Sequence, residues 1–399
     1  MHVLCAAASG AEVEDTDGIT VYRVRDLLLD ASSRVTPSAS TSVHVSAGKG
    51  GTSLRAVLRK AVRAIWRAVY WPDFACGWVI PAARVARALC RENHYDWIIS
   101  SSHPFTGHVI GMLARLRSPK LRWLVDISDP YSDMKEPSPN NRRIYAWVNR
   151  AVEGSILARA DAISVTTDST RQLYETSFPG SVGKILVVPP LLSLPEFPRP
   201  AERDGDQTLR LVFVGTLYRK LRSPKYLLSC VSALRKVLPD QPLELHFYGT
   251  INDCSADFSS CPEDIKSIVF VHGLISRERV VQAMIDSDVL VNIGNDSEVQ
   301  LASKVVEYMA TGKPILNLVS IARDASITAL ADYPSKLTIM RSGEAPSADV
   351  VEALRSFVLH PVPVDQDFVD IVRHRYSDKH VAGLYESILL QSLAEVPAR

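Results

Sequence analysis

The stretch LRLVFVGTLYRKLRSPKYLLSCVSALRKVL, residues 209–238, decides how the fold is read. Leu209 to Val214 is a nearly continuous apolar run of strand length, as a strand buried on both faces requires. Gly215 follows it, then a basic turn, then apolar positions recurring at helical spacing from Tyr226 to Leu238. The same rhythm continues downstream, with strands expected at Leu243 to Tyr248, Ile268 to Val271, Val289 to Ile293 and Pro314 to Val319. Alternating β and α at that spacing implies a parallel sheet covered by helices.

Upstream the style repeats, with strands expected at Trp97 to Ser101, Arg122 to Ile127, Ala162 to Thr166 and Ile185 to Val188, and a helix at Arg142 to Ala160. Between the halves, Pro189, Pro190, Pro195, Pro198 and Pro200 lead into the polar run Glu202 to Asp206, which marks a linker. The beginning breaks the pattern. Met1 to Ala7 and Ile19 to Val24 read as strands joined by a polar loop, with no helix between them, whereas a βαβ unit needs roughly 30 residues or more.

Composition places the 399-residue chain among ordinary globular proteins, with 46% hydrophobic and 22% charged residues. Its six cysteines show no C-x-x-C spacing, so the sequence contains no zinc or thioredoxin-like motif and reads as a reduced, cytoplasmic chain. No apolar run is long enough to span a bilayer, and the N-terminus lacks a signal-peptide pattern. The formal net charge is +1, too balanced for a nucleic-acid partner. Within residues 54–69, however, Leu54, Val57, Leu58, Ala61, Val62, Ile65, Trp66 and Val69 recur at helical spacing, with Arg55, Arg59, Lys60, Arg63 and Arg67 between them. That is a basic amphipathic helix, suited to an anionic membrane surface.

Two segments carry chemistry. After the strand ending at Val214, Gly215 allows close approach of a ligand to the backbone, and the cations that follow suit an anion. Residues 300–314 read as one helix closed by Gly312 and followed by a strand, with Glu307 placed to accept both hydrogen bonds of a ribose diol. Asp286-Ser287-Asp288 spells a D-x-D, yet its position just ahead of a buried-type strand suits a helix–strand junction, and no metal site is expected.

Taken in order, FVGTLY (213–218), LHFYG (245–249), VFVHGLIS (269–276), MIDSDVLVNIG (284–294) and SKVVEYMATGKPIL (303–316) resemble the donor half of family 4-type glycosyltransferases of the GT-B fold. PDFACGW (72–78), YDWIISSSHPFTGHVIG (95–111), WLVDISDPY (123–131) and VEGSILARADAISVTT (152–167) resemble the acceptor half of bacterial members that build surface polysaccharides. The resemblance implies two Rossmann-like α/β domains facing across a cleft. It gives an acceptor-side domain over residues 1–190, a linker over 191–207 and a donor domain over 208–375. A C-terminal helix over 376–399 is expected to pack back toward the first domain. The opening residues look like the family's second and third strands, so the first βα unit is expected to be absent from the front of this chain.

The implied activity is retaining transfer of a sugar from a UDP- or GDP-linked donor to a glycan or lipid-linked acceptor, without a metal or other cofactor. Glu307 is the position that binds the nucleotide ribose in the family, and the amides near Leu301, Ala302 and Ser303 would face the diphosphate. A second glutamate expected at position 299 is Val299 here, and Thr216 replaces the family's arginine after Gly215. The cation that meets the leaving diphosphate is therefore expected to be Arg222, with Lys220 and Arg219 in reserve, helped by Lys304 one helical turn before Glu307. Lys304 could equally form a surface ion pair with Glu307. On the acceptor side, Ser102, His103, Asp126 and Asp129 follow strands that should end at the cleft. Two rival readings are a non-catalytic or truncated relative that binds nucleotide or sugar, and a GT-B nucleotide-sugar epimerase.

Overall fold

The computed structural model describes residues 1–7, 12–27, 69–134, 138–192 and 208–394. Most of the basic stretch (54–68) and of the proline-rich linker (193–207) therefore lies outside the described residues. The chain folds as two compact units, Met1–Val187 and Val188–Arg399.

The described strands of the first unit form two sheets. In the smaller, the order is β1 (His2–Ala6), β3 (Ile19–Val24), β2 (Val13–Thr16), with β1 parallel and β2 antiparallel to β3. The sequence led us to expect a plain loop where β2 lies. Thr16 faces Ile19, and the two residues between them, Asp17 and Gly18, both take positive φ (49° and 79°). That is the hairpin turn whose twist matches its strands, and Asp-Gly is a pair able to adopt it. The larger sheet runs β4 (Trp97–Ser101), β5 (Arg122–Ile127), β6 (Ala162–Val165), β7 (Ile185–Val187), all parallel. Helices α1 (Val79–Glu92), α2 (Thr106–Arg115), α3 (Arg142–Arg159) and α4 (Asp168–Ser177) accompany it.

One apolar cluster serves both sheets of this unit. Trp78, Ala82, Ala83, Ala86, Ile110 and Ala114 pack with Leu4 and Val24 from the small sheet and Ile98 from β4. The small residues on α1 let it lie close to α2. Beyond that cluster, the ring of His2 meets the Tyr95 hydroxyl, just ahead of β4. Among the described residues β1 pairs only with β3 and β4 only with β5, so each has one edge without a strand partner.

The second unit is a six-stranded, wholly parallel sheet in the order β10 (Val269–Gly273), β9 (Leu243–Tyr248), β8 (Leu209–Val214), β11 (Val289–Ile293), β12 (Ile315–Val319), β13 (Lys336–Met340). Its helices are α5 (Lys225–Val237), α6 (Ser255–Ser259), α7 (Arg277–Ile285), α8 (Ser303–Met309), α9 (Ala325–Ala329), α10 (Ala348–Leu359), α11 (Gln366–Arg375) and α12 (Asp378–Ala394). Successive side chains of β8 go to opposite faces. Leu209, Leu211 and Phe213 enter one core with Leu227 and Val231 of α5, while Val212 and Val214 enter the other with Val305 and Tyr308 of α8. Both faces are buried from Leu211 on, which is why the strand reads as a nearly continuous apolar run. The strand order reverses between β8 and β11, the topological switch point at whose carboxyl end open α/β sheets bind ligands.

Candidate active site

At the switch point the loop after β8 meets the loop after β11. Gly215 leaves β8 with φ +152°, its N–H bonded to the Tyr248 carbonyl at 2.9 Å. Leu217, 1% exposed, anchors the loop, and the Leu217 N–H reaches Thr250 O at 2.8 Å. The chain then doubles back, so that Arg222 N–H donates to Tyr218 O at 2.7 Å and the Arg222 side chain points toward β11. There its Nε donates to Asn295 Oδ1 at 2.5 Å. Arg219 is committed elsewhere, to the buried Asp257 at 3.4 Å, while Lys220 is exposed on the turn. Arg222 is thus joined to the β11 loop.

The partner loop is built to hold its shape. A Cβ at Gly294 would lie 2.6 Å from Asp324 Oδ2, so the close approach of loop and carboxylate requires glycine. Asp324, 1% exposed, accepts the Asp296 N–H at 3.1 Å and caps α9 through Ser326 N–H at 2.9 Å. The Asp296 carboxylate meets Arg341 at 2.9 Å and the Ser320 hydroxyl. Ser297 Oγ accepts the N–H groups of Val299 and Gln300 at 3.4 and 3.1 Å.

These bonds correct the expected helix. It begins at Ser303 and not at Gln300, because the backbone groups of 299 and 300 are held in the turn and Ala302 is extended (ψ 116°). Leu301 and Ala302 therefore precede the helix, and Ser303 is its first residue. Glu298 sits in the loop near Arg323 at 3.5 Å. Within α8, Lys304 Nζ donates to Glu307 Oε2 at 2.5 Å, the ion pair that the spacing allowed. Behind them Tyr308, fully buried, accepts the Val214 N–H at 2.9 Å and donates to Val214 O at 3.2 Å. Burial pushes this phenol well above its ordinary pKa. The hydroxyl thus fixes α8 to the end of β8, directly before Gly215. Thr216 is part-buried beside it.

Asp286 and Asp288 lie at the opposite end of β11. Asp288 accepts the Arg210 N–H at 2.7 Å and Asp286 accepts from Gln282 Nε2 at 2.8 Å, so the D-x-D is a helix–strand junction as the sequence suggested. Among the described residues, no group of three or more His, Cys, Asp or Glu could hold a metal ion.

In the first unit, the carboxyl ends of β4, β5 and β6 bring together the residues expected on the acceptor side. Asp126 accepts Ser101 Oγ and Ser164 Oγ, each at 2.7 Å. The Ser102 N–H bonds to Asp126 O at 3.1 Å, and Ser102 Oγ is buried without a hydrogen-bond partner among the described residues. His103 Nε2 stands 3.6 Å from Asp129 Oδ2, both part-exposed, so this ring is accessible beside a carboxylate. Sequence reasoning passed over His108, which α2 buries completely beneath this cluster. Its Nδ1 shares a hydrogen bond with Ser100 Oγ at 2.8 Å. Burial lowers its pKa to about 4, against the pull of Asp126, so the ring is neutral at pH 7. The signal available was a histidine on the apolar face of α2, which periodicity alone cannot distinguish from a ligand.

Residues 1–190 match the family model of the glycosyl transferase 4-like domain, and residues 208–324 match that of the glycosyl transferases group 1 domain. Among solved structures, sucrose-phosphate synthase from Thermosynechococcus elongatus is similar with TM-score 0.61 at 14% identity, covering 99% of this chain and 89% of its own. The lipopolysaccharide outer core galactosyltransferase WaaB, in its apo form, gives TM-score 0.55 at 17% identity over 79% of this chain and 80% of its own. An alpha,alpha-trehalose-phosphate synthase (UDP-forming) from Burkholderia vietnamiensis gives 0.56 at 11% identity over 98% of each chain. At these identities the likeness is one of fold. No curated protein matches the chain. With one glycosyltransferase domain matched in each half, and a two-domain α/β fold with parallel sheets to carry them, the chain belongs to the family 4-type glycosyltransferases of the GT-B fold.

Proposed function

We propose that this glycosyltransferase takes its sugar from a nucleotide-sugar donor bound at the β8/β11 switch point. It passes the sugar, with retention of anomeric configuration, to a glycan or lipid-linked acceptor in bacterial polysaccharide assembly. The observation that carries this reading is the Arg222–Asn295 bond, which sets a guanidinium between the two loops at the carboxyl ends of β8 and β11. A guanidinium there meets the charge that develops on the departing diphosphate, the term with the greatest leverage in phosphate-leaving chemistry.

Glu307 is the group we assign to the ribose, with Lys304 holding its carboxylate in place from 2.5 Å and lending charge to the same end of α8. Gly215 and Thr216 give the donor backbone access, Lys220 adds charge at the mouth of the turn, and the backbone at Leu301, Ala302 and Ser303 lines the other side. Among the acceptor-side groups, His103 with Asp129, and Asp126 with Ser102, are suited to binding sugar hydroxyls. In this scheme the leaving phosphate takes the acceptor's proton on the same face. UDP is the nucleotide we favour, in keeping with the UDP-forming relative of the same fold. Among the described residues no helix is long and apolar enough to cross a membrane. The basic stretch at 54–69 is our proposed contact with an anionic membrane surface, where a lipid-linked acceptor resides. Liposome flotation at low salt checks this, and equal recovery with neutral and anionic vesicles would rule it out.

The transfer reading is tested by offering UDP- and GDP-sugars with polyprenyl-linked glycans and following nucleoside diphosphate release and product configuration by NMR. An α-linked donor should give an α-linked product. An inverted product would refute retention, and a chain that neither binds nor consumes any of the donors would refute the site.

A further inference from the structure

We infer that Asn295 is a positioning residue for the donor's diphosphate, acting through Arg222; the inference rests on the donor-site reading above. The Asn295 side chain is 4% exposed and uses both of its ends. Its oxygen accepts Arg222 Nε at 2.5 Å, and its nitrogen donates to Gln300 O at 3.0 Å. Arginine is long and loses considerable rotamer freedom when fixed. Pinning Nε, the root of the guanidinium, sets the plane of the whole group and directs its outer N–H donors. The second bond ties that orientation to the 294–302 loop, which the Asp324, Asp296 and Ser297 contacts already hold rigid. An amide does this without neutralising the cation. An aspartate in the same place would accept the same bond but cancel the charge that an anion must meet.

A purely structural asparagine would also be buried and doubly bonded, so the test must separate the two roles. Isothermal titration of UDP, GDP and ADP into the full chain establishes which nucleoside diphosphate binds. The same titration is then made with Arg222→Ala, Asn295→Ala and the double variant, with the unfolding temperature of each recorded. We expect Arg222→Ala and Asn295→Ala each to weaken binding by about tenfold or more, since each disturbs one charge-assisted contact. In the Arg222→Ala background, Asn295→Ala should change affinity by less than about twofold, because the group it positions has gone. Asn295→Ser, a smaller excision of the same amide, supplies the comparison if the alanine chain fails to fold. Independent, multiplicative losses from the two substitutions would overturn the inference while leaving the donor site standing. Failure of the wild-type chain to bind any nucleoside diphosphate would overturn the donor site, and the inference with it.

Discussion

Tyr308→Phe removes one oxygen atom and tests whether α8 is tied to β8 as described. The β8–β11 ladder pairs Phe213 with Val291 and goes no further, so no residue of β11 is paired with Val214 itself. The Tyr308 hydroxyl meets Val214 at this end of the ladder, accepting its N–H at 2.9 Å and returning a bond to Val214 O at 3.2 Å. Both groups are buried: Val214 is 6% and Tyr308 0% exposed, so water cannot readily substitute. The ring and its packing survive the substitution. What is lost is the hydroxyl's pair of bonds to Val214, and a buried polar group left short of a partner costs about 1–3 kcal/mol. For a folding unit of about 200 residues, each kcal/mol lowers the melting temperature by roughly 2–4 °C. The expected drop is therefore about 4–8 °C for a cost of about 2 kcal/mol. Differential scanning calorimetry of wild type and variant, with urea titrations to obtain the free energy, measures it. A change below about 0.5 kcal/mol would mean that the hydroxyl does not hold the helix. Raising the pH offers no alternative route to the same loss, because burial holds the phenol protonated far above its ordinary range.

Three further outcomes follow from the same geometry. His108 has its folded pKa lowered from 6.5 to about 4, so between those values the unfolded chain binds the proton and the folded chain does not. Its stabilising contribution is thus complete above pH 6.5 and is lost as pH falls toward 4, by on the order of 3 kcal/mol; His108→Gln should flatten the acid limb of a stability–pH curve in that window. Glu153, 1% exposed, accepts the N–H groups of Tyr131 and Ser132, each at 3.0 Å, and the Tyr174 hydroxyl at 2.7 Å. Glu153→Gln turns an amide donor toward one of those donors and should cost about 1–3 kcal/mol by urea unfolding, with a neutral result showing that the carboxyl is already protonated. Gly294→Ala places a methyl 2.6 Å from a carboxylate held by two further bonds. It should destabilise by about 1–3 kcal/mol in urea unfolding and weaken nucleoside diphosphate binding in titration calorimetry.

Much of the fold was legible because its physics is local. A parallel strand with a buried face draws in apolar residues, nearly continuous in Leu209–Val214 and alternate in Leu243–Tyr248, and Trp97–Ser101 and Arg122–Ile127 are likewise legible with their boundaries. The motifs around Gly215 and Glu307 likewise resemble the donor half of the family. Local signals were also misread. The Asp17-Gly18 hairpin was available in the sequence as a turn pair, yet the polar residues of β2, all exposed, offered no apolar alternation to support it. The helix seemed to start at Gln300 because nothing in a linear pattern shows that Asn295 and Ser297 claim the neighbouring backbone groups.

By itself, then, the sequence determined the alternation of strands and helices, the division into two α/β halves and the residue types from which we propose a phosphate-binding site is made. Only the tertiary structure decided which of those residues meet. Arg222 and Asn295 are 73 positions apart and touch because β11 lies beside β8 in the sheet. Arg219, as good a cation on paper, is drawn to Asp257, and the D-x-D falls at the far end of its strand. Strand order and register are set by the burial of whole faces at once, a sum over the entire core that no single segment contains.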